Sequence, residues 1–341
     1  MSYSYCEPTI SVIIPVHNEI DNFRKCLQSL ADSDPIYKEI IIVADKVSDD
    51  SLHLIKEFDI KIKILRMTTL GGPAKARNLG ARLSKGNILF FLDADITIRH
   101  DTVNQIIAAF QKNPDIDALF GSYDDEPSEL NFLSQFKNLF HHYVHQTSNE
   151  DSYSFWSGCG AIRRDVFWEI GGFNEHYNRP SIEDIELGYR LKNGGYKTRL
   201  MKDLQVKHLK HWNLYILLKT DFFDRALPWT NLIFRYCQFM NDLNLKISDR
   251  FSIVFVYMLL LTLLAAFFIP WFFLLGVLCM GGLLALNWNL YRFFKNKRGL
   301  FFVIKVILWH WFYLFYCGLA FSIGFINYYL KKAHFKRETK P

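Results

Sequence analysis

Phe90-Phe91-Leu92-Asp93-Ala94-Asp95 is an apolar run that stops on two carboxylates. With Ile88 and Leu89 before it, the run reads as a strand buried on both faces. Such strands belong to parallel sheets covered by helices on either side. On a continuing strand, residues two apart point the same way, so Asp93 and Asp95 would converge. Two carboxylates at a strand end suit a hard cation such as Mg²⁺ or Mn²⁺, which carries phosphate oxygens in its remaining positions. Taken alone, the pair also fits a solvated strand end that caps the next helix; its place behind an apolar strand favours the cation.

The same pattern recurs on either side. Residues 10–16 form an apolar run that contains Pro15, and residues 39–44 form a second one. Residues 60–66 and 87–92 read as further strands. Residues 22–30, 51–58, 73–83 and 102–111 read as helices, with Pro73 suited to a first helical position. Alternation of this kind predicts βαβ units and a mostly parallel α/β sheet. Ligands of such sheets sit beyond the carboxyl ends of the strands. Polar residues stand at each of those ends: His17, Asn18 and Glu19; Asp45, Ser48, Asp49 and Asp50; Asp93 and Asp95.

Three more motifs carry chemistry. Gly71-Gly72-Pro73-Ala74-Lys75-Ala76-Arg77-Asn78 is a turn entering a helix whose first turns hold two cations, an arrangement that favours phosphate. It equally fits an ordinary basic helix face. Ser181-Ile182-Glu183-Asp184-Ile185-Glu186 crowds three carboxylates at a helix start, where one can serve as a base and Glu186 can pair with Arg190. The alternative there is a charged first turn that answers the helix dipole. Phe155-Trp156-Ser157-Gly158-Cys159-Gly160 sets small residues beside a flat aromatic surface of the kind sugars stack on, or else packs as a glycine turn.

Composition divides the chain. Of 40 Lys/Arg and 34 Asp/Glu, 12 and 2 respectively lie from Lys246 onward, so the front is mildly acidic and the tail strongly basic. An acidic front argues against a nucleic-acid partner, and a basic, apolar tail suits membrane flanks. The cysteines are scattered without metal-ligand spacing, which predicts free thiols in a reducing compartment. A polar start running straight into residues 10–14 carries no signal-peptide pattern, so the front domain is expected in the cytosol. Residues 213–245 interleave aromatics with charges, consistent with helices in the headgroup region or with ordinary amphipathic packing. Residues 251–269 and 271–288, separated by Pro270, are each about long enough to cross a bilayer core. A basic loop with Arg292, Lys295, Lys297 and Arg298 follows. Residues 300–330 form a third apolar stretch, expected as an interfacial helix over 300–311 followed by one span.

Taken together and in order, these motifs resemble glycosyltransferase family 2. The residues that carry the resemblance are Ser11-Val12-Ile13-Ile14-Pro15-Val16-His17-Asn18-Glu19, Asp45, Ala76-Arg77-Asn78, Asp93-Ala94-Asp95 and Glu183-Asp184. The match covers roughly residues 9–212. It implies a GT-A type, Rossmann-like α/β fold with a mostly parallel sheet and helices on both faces, followed by interfacial and transmembrane helices. It places Pro15, His17 and Glu19 at the nucleoside, Asp45 at base or ribose, and Lys75 and Arg77 near the diphosphate. Asp93 and Asp95 would hold Mg²⁺ or Mn²⁺, with His208 completing the metal site as in some members. Asp184 would be the general base, accompanied by Glu183.

Two departures stand out. The family usually shows Asp-Asp-Gly-Ser where this chain has Asp45-Lys46-Val47-Ser48, which leaves the nucleotide base open. The processive members' Gln-x-x-Arg-Trp has only a loose counterpart here, Asp224-Arg225 followed by Trp229. The resemblance implies an inverting, metal-dependent transfer of a sugar from a nucleotide-diphosphate sugar, and the membrane segments with the aromatic 213–245 region point to a lipid or lipid-linked acceptor. The enzyme would be an integral membrane protein with a cytosolic catalytic domain over 1–212, interfacial helices over 213–250 and a transmembrane region over 251–341. A processive polysaccharide synthase, a catalytically inactive membrane scaffold and a transporter or receptor are the other three readings.

Overall fold

The computed structural model describes residues 7–17, 20–34, 37, 39–47, 53–58, 60–68 and 70–338. The chain divides into two compact units, Met1–Asn213 and Leu214–Pro341.

The first unit is built on an eight-stranded sheet. Its strands are β1 (Ile10–Val16), β2 (Glu39–Asp45), β3 (Ile62–Met67), β4 (Ile88–Leu92), β5 (Ile96–Thr97), β6 (Ala118–Tyr123), β7 (Cys159–Arg163) and β8 (Thr198–His208). They lie in the order β3-β2-β1-β4-β7-β6-β8-β5. β1 to β4 pair in parallel, and β6 pairs with β8 in parallel. β7 runs antiparallel between β4 and β6, and β5 runs antiparallel to β8, so the sheet is mixed.

Alternation along the strands sorts the core into two layers. Ile10, Val12, Ile14, Ile40, Ile42, Ile88 and Phe90 pack with Phe23 and Leu27 of α1 (Ile20–Ala31) and Val103 and Ile106 of α3 (Thr102–Lys112). On the opposite face, Ile13, Leu89 and Phe91 meet Ala74 and Ala81 of α2 (Gly72–Arg82), with Phe155, Phe167 and Phe173. Phe91 sits within 5.4 Å of the Phe167 and Phe173 rings. Burial on both faces explains why β1, β2 and β4 are continuous apolar runs. The remaining helices of this unit are α4 (Phe132–Thr147), α5 (Arg164–Glu169) and α6 (Glu183–Asn193).

The second unit is helical: α7 (Leu214–Lys219), a wide π-type turn over Thr220–Ala226, α8 (Leu227–Tyr236), α9 (Ile247–Ala266), α10 (Phe272–Leu286), α11 (Trp288–Arg298) and α12 (Leu300–Glu338). α9 and α12 are long and apolar enough to cross a membrane, and α10 with α11 form a pair bent by 66° that passes the same test together. The expected break near residue 311 is absent: α12 runs as one helix of 39 residues. No proline interrupts 300–330, and neither Lys305 nor the isolated Gly318 and Gly324 stops the helix. Several polar side chains in this unit are paired within it. Asn287 donates to Ser252 Oγ at 2.9 Å, and Tyr257 donates to the Phe315 carbonyl at 2.9 Å. Such pairing is what an apolar surrounding demands.

Candidate active site

The site is assembled where β1, β2 and β4 end. Asp45 closes β2 and is buried. Its Oδ2 accepts from the Gly72 amide at 3.0 Å, while its Oδ1 is buried without a hydrogen-bond partner among the described residues. Beside it, His17 Nδ1 donates to the Asp45 carbonyl at 2.7 Å, which fixes the hydrogen on that ring nitrogen. Pro15 lies within β1, paired with Val43 of β2. Glu19, expected in the same pocket, lies outside the described residues. An acceptor oxygen held in a dry pocket without a donor is costly. It is therefore a place for a ligand N–H or hydroxyl.

Gly72 makes this corner possible. Its φ of +74° is a conformation L side chains avoid, and a Cβ there would stand 2.5 Å from the Asn178 backbone. Gly72→Ala is expected to displace the 174–181 segment and the amide that holds Asp45. Nucleotide affinity should fall at least tenfold, as titration calorimetry would show; unchanged affinity would remove Asp45 and Gly72 from the site.

Arg77 organises the centre. It is buried, with its side chain 4% exposed, yet it faces two carboxylates. Nη2 donates to Asp93 Oδ1 at 2.7 Å, and Nη1 donates to Glu183 Oε1 at 2.9 Å. Burial works against the charged guanidinium, but Asp93 and Glu183 outweigh it and raise its affinity for the proton. Glu183 Oε2 accepts from the Ser181 amide at 2.9 Å, so that carboxylate is fully engaged. Asn78, the next residue, holds Phe173 through both its main-chain groups, at 2.8 and 2.9 Å. The Ala76-Arg77-Asn78 run thus fastens the β4 end to the loop and helix that follow residue 171.

Asp184 opens towards the same space from the first turn of α6 and is half-buried. Its Oδ2 accepts from the Ser157 amide and hydroxyl at 3.3 and 3.4 Å, and its Oδ1 accepts from the Ile185 amide at 2.8 Å. Three donors orient the carboxylate. Ser157 is a positioning residue whose link to Asp184 sequence reasoning did not anticipate. Next to it, Trp156 lies over Gly158, where a Cβ would meet the indole at 2.6 Å, and its ring also packs against Tyr123 at 4.5 Å and His145 at 5.8 Å. Glu186 pairs with Arg190 at 2.8 Å, as the i, i+4 spacing suggests.

Past the turn after β4, Asp95 Oδ2 meets His208 Nε2 at 3.3 Å. Burial would raise the Asp95 pKa, but His208 and then Lys210 outweigh it and pull it down to about 2. Asp95 and His208 are thus brought together, whereas Asp93 turns to Arg77. No group of three or more His, Cys, Asp or Glu side chains is gathered closely enough to hold an ion by itself among the described residues. A carboxylate and an imidazole side by side, with Asp93 two residues away, still fit a divalent ion that keeps phosphate and water ligands, as Mg²⁺ does. Lys75 is placed elsewhere. It is exposed and lines a surface cavity with Arg66, Met67, Arg82 and Glu175, on the far side of α2 from Arg77.

Known proteins resemble this chain in sequence and in fold. The family model described as glycosyl transferase family 2 matches residues 11–171, which include every site residue up to Asp95 and end before Asp184 and His208. Polypeptide N-acetylgalactosaminyltransferase 3 of Taeniopygia guttata is 28% identical over 236 residues, covering 59% of this chain and 38% of that protein. An uncharacterised glycosyltransferase of Haemophilus influenzae is 25% identical over 188 residues, covering 53% of this chain and 61% of its own. The chain thus spans less than two thirds of the length of these curated relatives. Among solved structures, a mannosyltransferase from Pyrobaculum calidifontis in complex with GDP-Man and Mn²⁺ superposes with a TM-score of 0.56 at 16% identity, covering 93% of this chain and 88% of its own, a likeness of fold. Residues 11–171 therefore match the glycosyl transferase family 2 model, on a fold of the GT-A type.

Proposed function

We propose that the protein transfers a sugar, with inversion, from a nucleotide-diphosphate sugar to a lipid or lipid-linked acceptor at a membrane. The observation that carries this reading is the Arg77 bridge. One buried guanidinium joins Asp93, just past β4, to Glu183, which lies one residue before Asp184 and 106 residues along the chain from Arg77. A donor's leaving group and an acceptor's base are thereby tied to one scaffold.

The residues divide the work as follows. Asp45 Oδ1 and His17 receive the nucleoside. Asp184 takes the proton from the acceptor hydroxyl as that oxygen attacks the anomeric carbon and the bond to the diphosphate breaks. Ser157 keeps Asp184 aimed, and Trp156 offers an apolar face to the sugar. Asp95 and His208, joined by Asp93, would hold Mg²⁺ or Mn²⁺, which neutralises charge on the departing diphosphate when bound. Arg77 contributes positive charge at the same place. The P. calidifontis structure, with its GDP-Man and Mn²⁺, supports the donor class and the divalent ion. The membrane and the lipid acceptor rest on the apolar α9 and α12.

Titration calorimetry with UDP and GDP, each with and without Mn²⁺, tests the donor side. One nucleotide should bind in a Mn²⁺-dependent manner, and Asp45→Ala should weaken it by about 10- to 100-fold, as expected for losing one or two hydrogen bonds from a buried carboxylate. Equal binding by wild type and Asp45→Ala would remove the nucleoside from this pocket.

A further inference from the structure

The sequence from Arg250 to Arg337 contains no Asp or Glu, yet it holds Arg292, Lys295, Lys297, Arg298 and Lys305 before its basic end. Four of these cations lie on one short helix, α11. α11 is amphipathic by burial: Leu290, Tyr291 and Phe294 are buried, while Arg292, Lys295, Lys297 and Arg298 are exposed. The buried face is firmly seated. Phe294 stacks on Phe302 of α12 at 6.1 Å, and the Tyr291 hydroxyl bridges His310 Nδ1 at 3.0 Å and Trp311 Nε1 at 3.1 Å.

Direction matters as much as charge. α10 has 15 residues with an apolar surface all round, and α11 departs from it at 66°. A helix that continued α10 would carry four cations across or out of a bilayer; a bend of this size lays them along its surface instead. Gly299, with φ +82°, then ends α11 and lets α12 start in a new direction. Trp288 stands exposed at the bend, the position where aromatic rings settle at a membrane boundary.

We infer that α11 is a headgroup-lying helix whose Arg292, Lys295, Lys297 and Arg298 bind the phosphates of anionic phospholipids. The inference rests on the membrane reading above and deepens it by naming the lipid chemistry the helical unit selects. The four cations are exposed on a helix within a stretch of 88 residues that carries no Asp or Glu, a charge that anionic headgroups complement. Each Lys or Arg near an anionic surface gains about 1 kcal/mol, on the order of fivefold in affinity.

The test uses the full chain reconstituted in bilayers of phosphatidylcholine with 30 mol% phosphatidylglycerol, then extracted in mild detergent, with retained lipid identified by native mass spectrometry. Wild type should retain phosphatidylglycerol over phosphatidylcholine well beyond the input ratio. R292Q/K295Q/K297Q/R298Q should lose at least tenfold of that preference, whereas K85Q/K112Q, in the N-terminal unit, should keep it. Unchanged preference in the quadruple variant overturns the inference. So does displacement of the retained lipid by millimolar inorganic phosphate, which would make α11 a site for free phosphate. Extraction of the wild-type chain from membranes by alkaline carbonate overturns the membrane reading itself, whereas a chain that stays in the pellet but shows no lipid preference overturns only the role of α11.

Discussion

Asp184→Asn is expected to lower sugar transfer by about a thousandfold while nucleotide binding stays within about twofold of wild type. A positioned general base contributes roughly 10²–10⁴ in rate. The amide keeps the shape of the carboxylate, and its one carbonyl oxygen can still accept from either Ser157 or the Ile185 amide, though not from both. What it loses is the ability to take the acceptor's proton. Asp45 and His17, which receive the nucleoside, share none of the Asp184 hydrogen bonds, so binding and catalysis should separate cleanly. Single-turnover transfer, read beside calorimetric nucleotide affinity, gives both numbers. Retained transfer with lost binding would move Asp184 out of the base role.

The second large effect is structural. Arg77→Ala is expected to destabilise the N-terminal unit by about 3–5 kcal/mol, the cost of stranding a buried charge by removing its partner. Glu183 would be that charge, because its side chain is 5% exposed, whereas Asp93 at 33% can turn to solvent. For a unit of this size the loss corresponds to a fall on the order of 10 °C in melting temperature. R77M/E183M should recover much of the loss, since it removes both charges from the interior together. Differential scanning fluorimetry of the full chain follows both variants. An Arg77→Ala protein that melts with wild type would mean the bridge does not hold the unit together.

The sequence made part of this architecture legible for a simple reason. β1, β2 and β4 are buried on both faces, so each is an uninterrupted apolar run that ends on polar residues. α6 announces itself through Glu183, Asp184 and Glu186 in its first turn. β7 and β8 were harder. β7 is Cys159-Gly160-Ala161-Ile162-Arg163, small residues that read as a glycine turn, and its antiparallel place between β4 and β6 depends on partners far along the chain. β8 mixes Lys202, Asp203 and Gln205 with apolar residues, and a register shift near Ser122 of its partner β6 breaks any period. Within the site, motif spacing found Arg77 but not its direction. Lys75 and Arg77 are two residues apart on a helix, about 200° around its axis. That separation sends Arg77 inward to Asp93 and Glu183 and sends Lys75 to the surface with Arg66 and Arg82. The Ser157–Asp184 contact likewise joins two motifs that sequence presents as separate.

Nucleotide-diphosphate release across a panel of sugar donors, measured with the full chain in membrane lipid extract with Mn²⁺ and then with chelator, tests the central claim most directly. The account predicts release from one donor, abolished by chelator and by Asp93→Ala, with the sugar recovered in the organic phase. Silence from every donor, under conditions where the nucleotide binds, would contradict it, and so would a sugar recovered only on water-soluble acceptors.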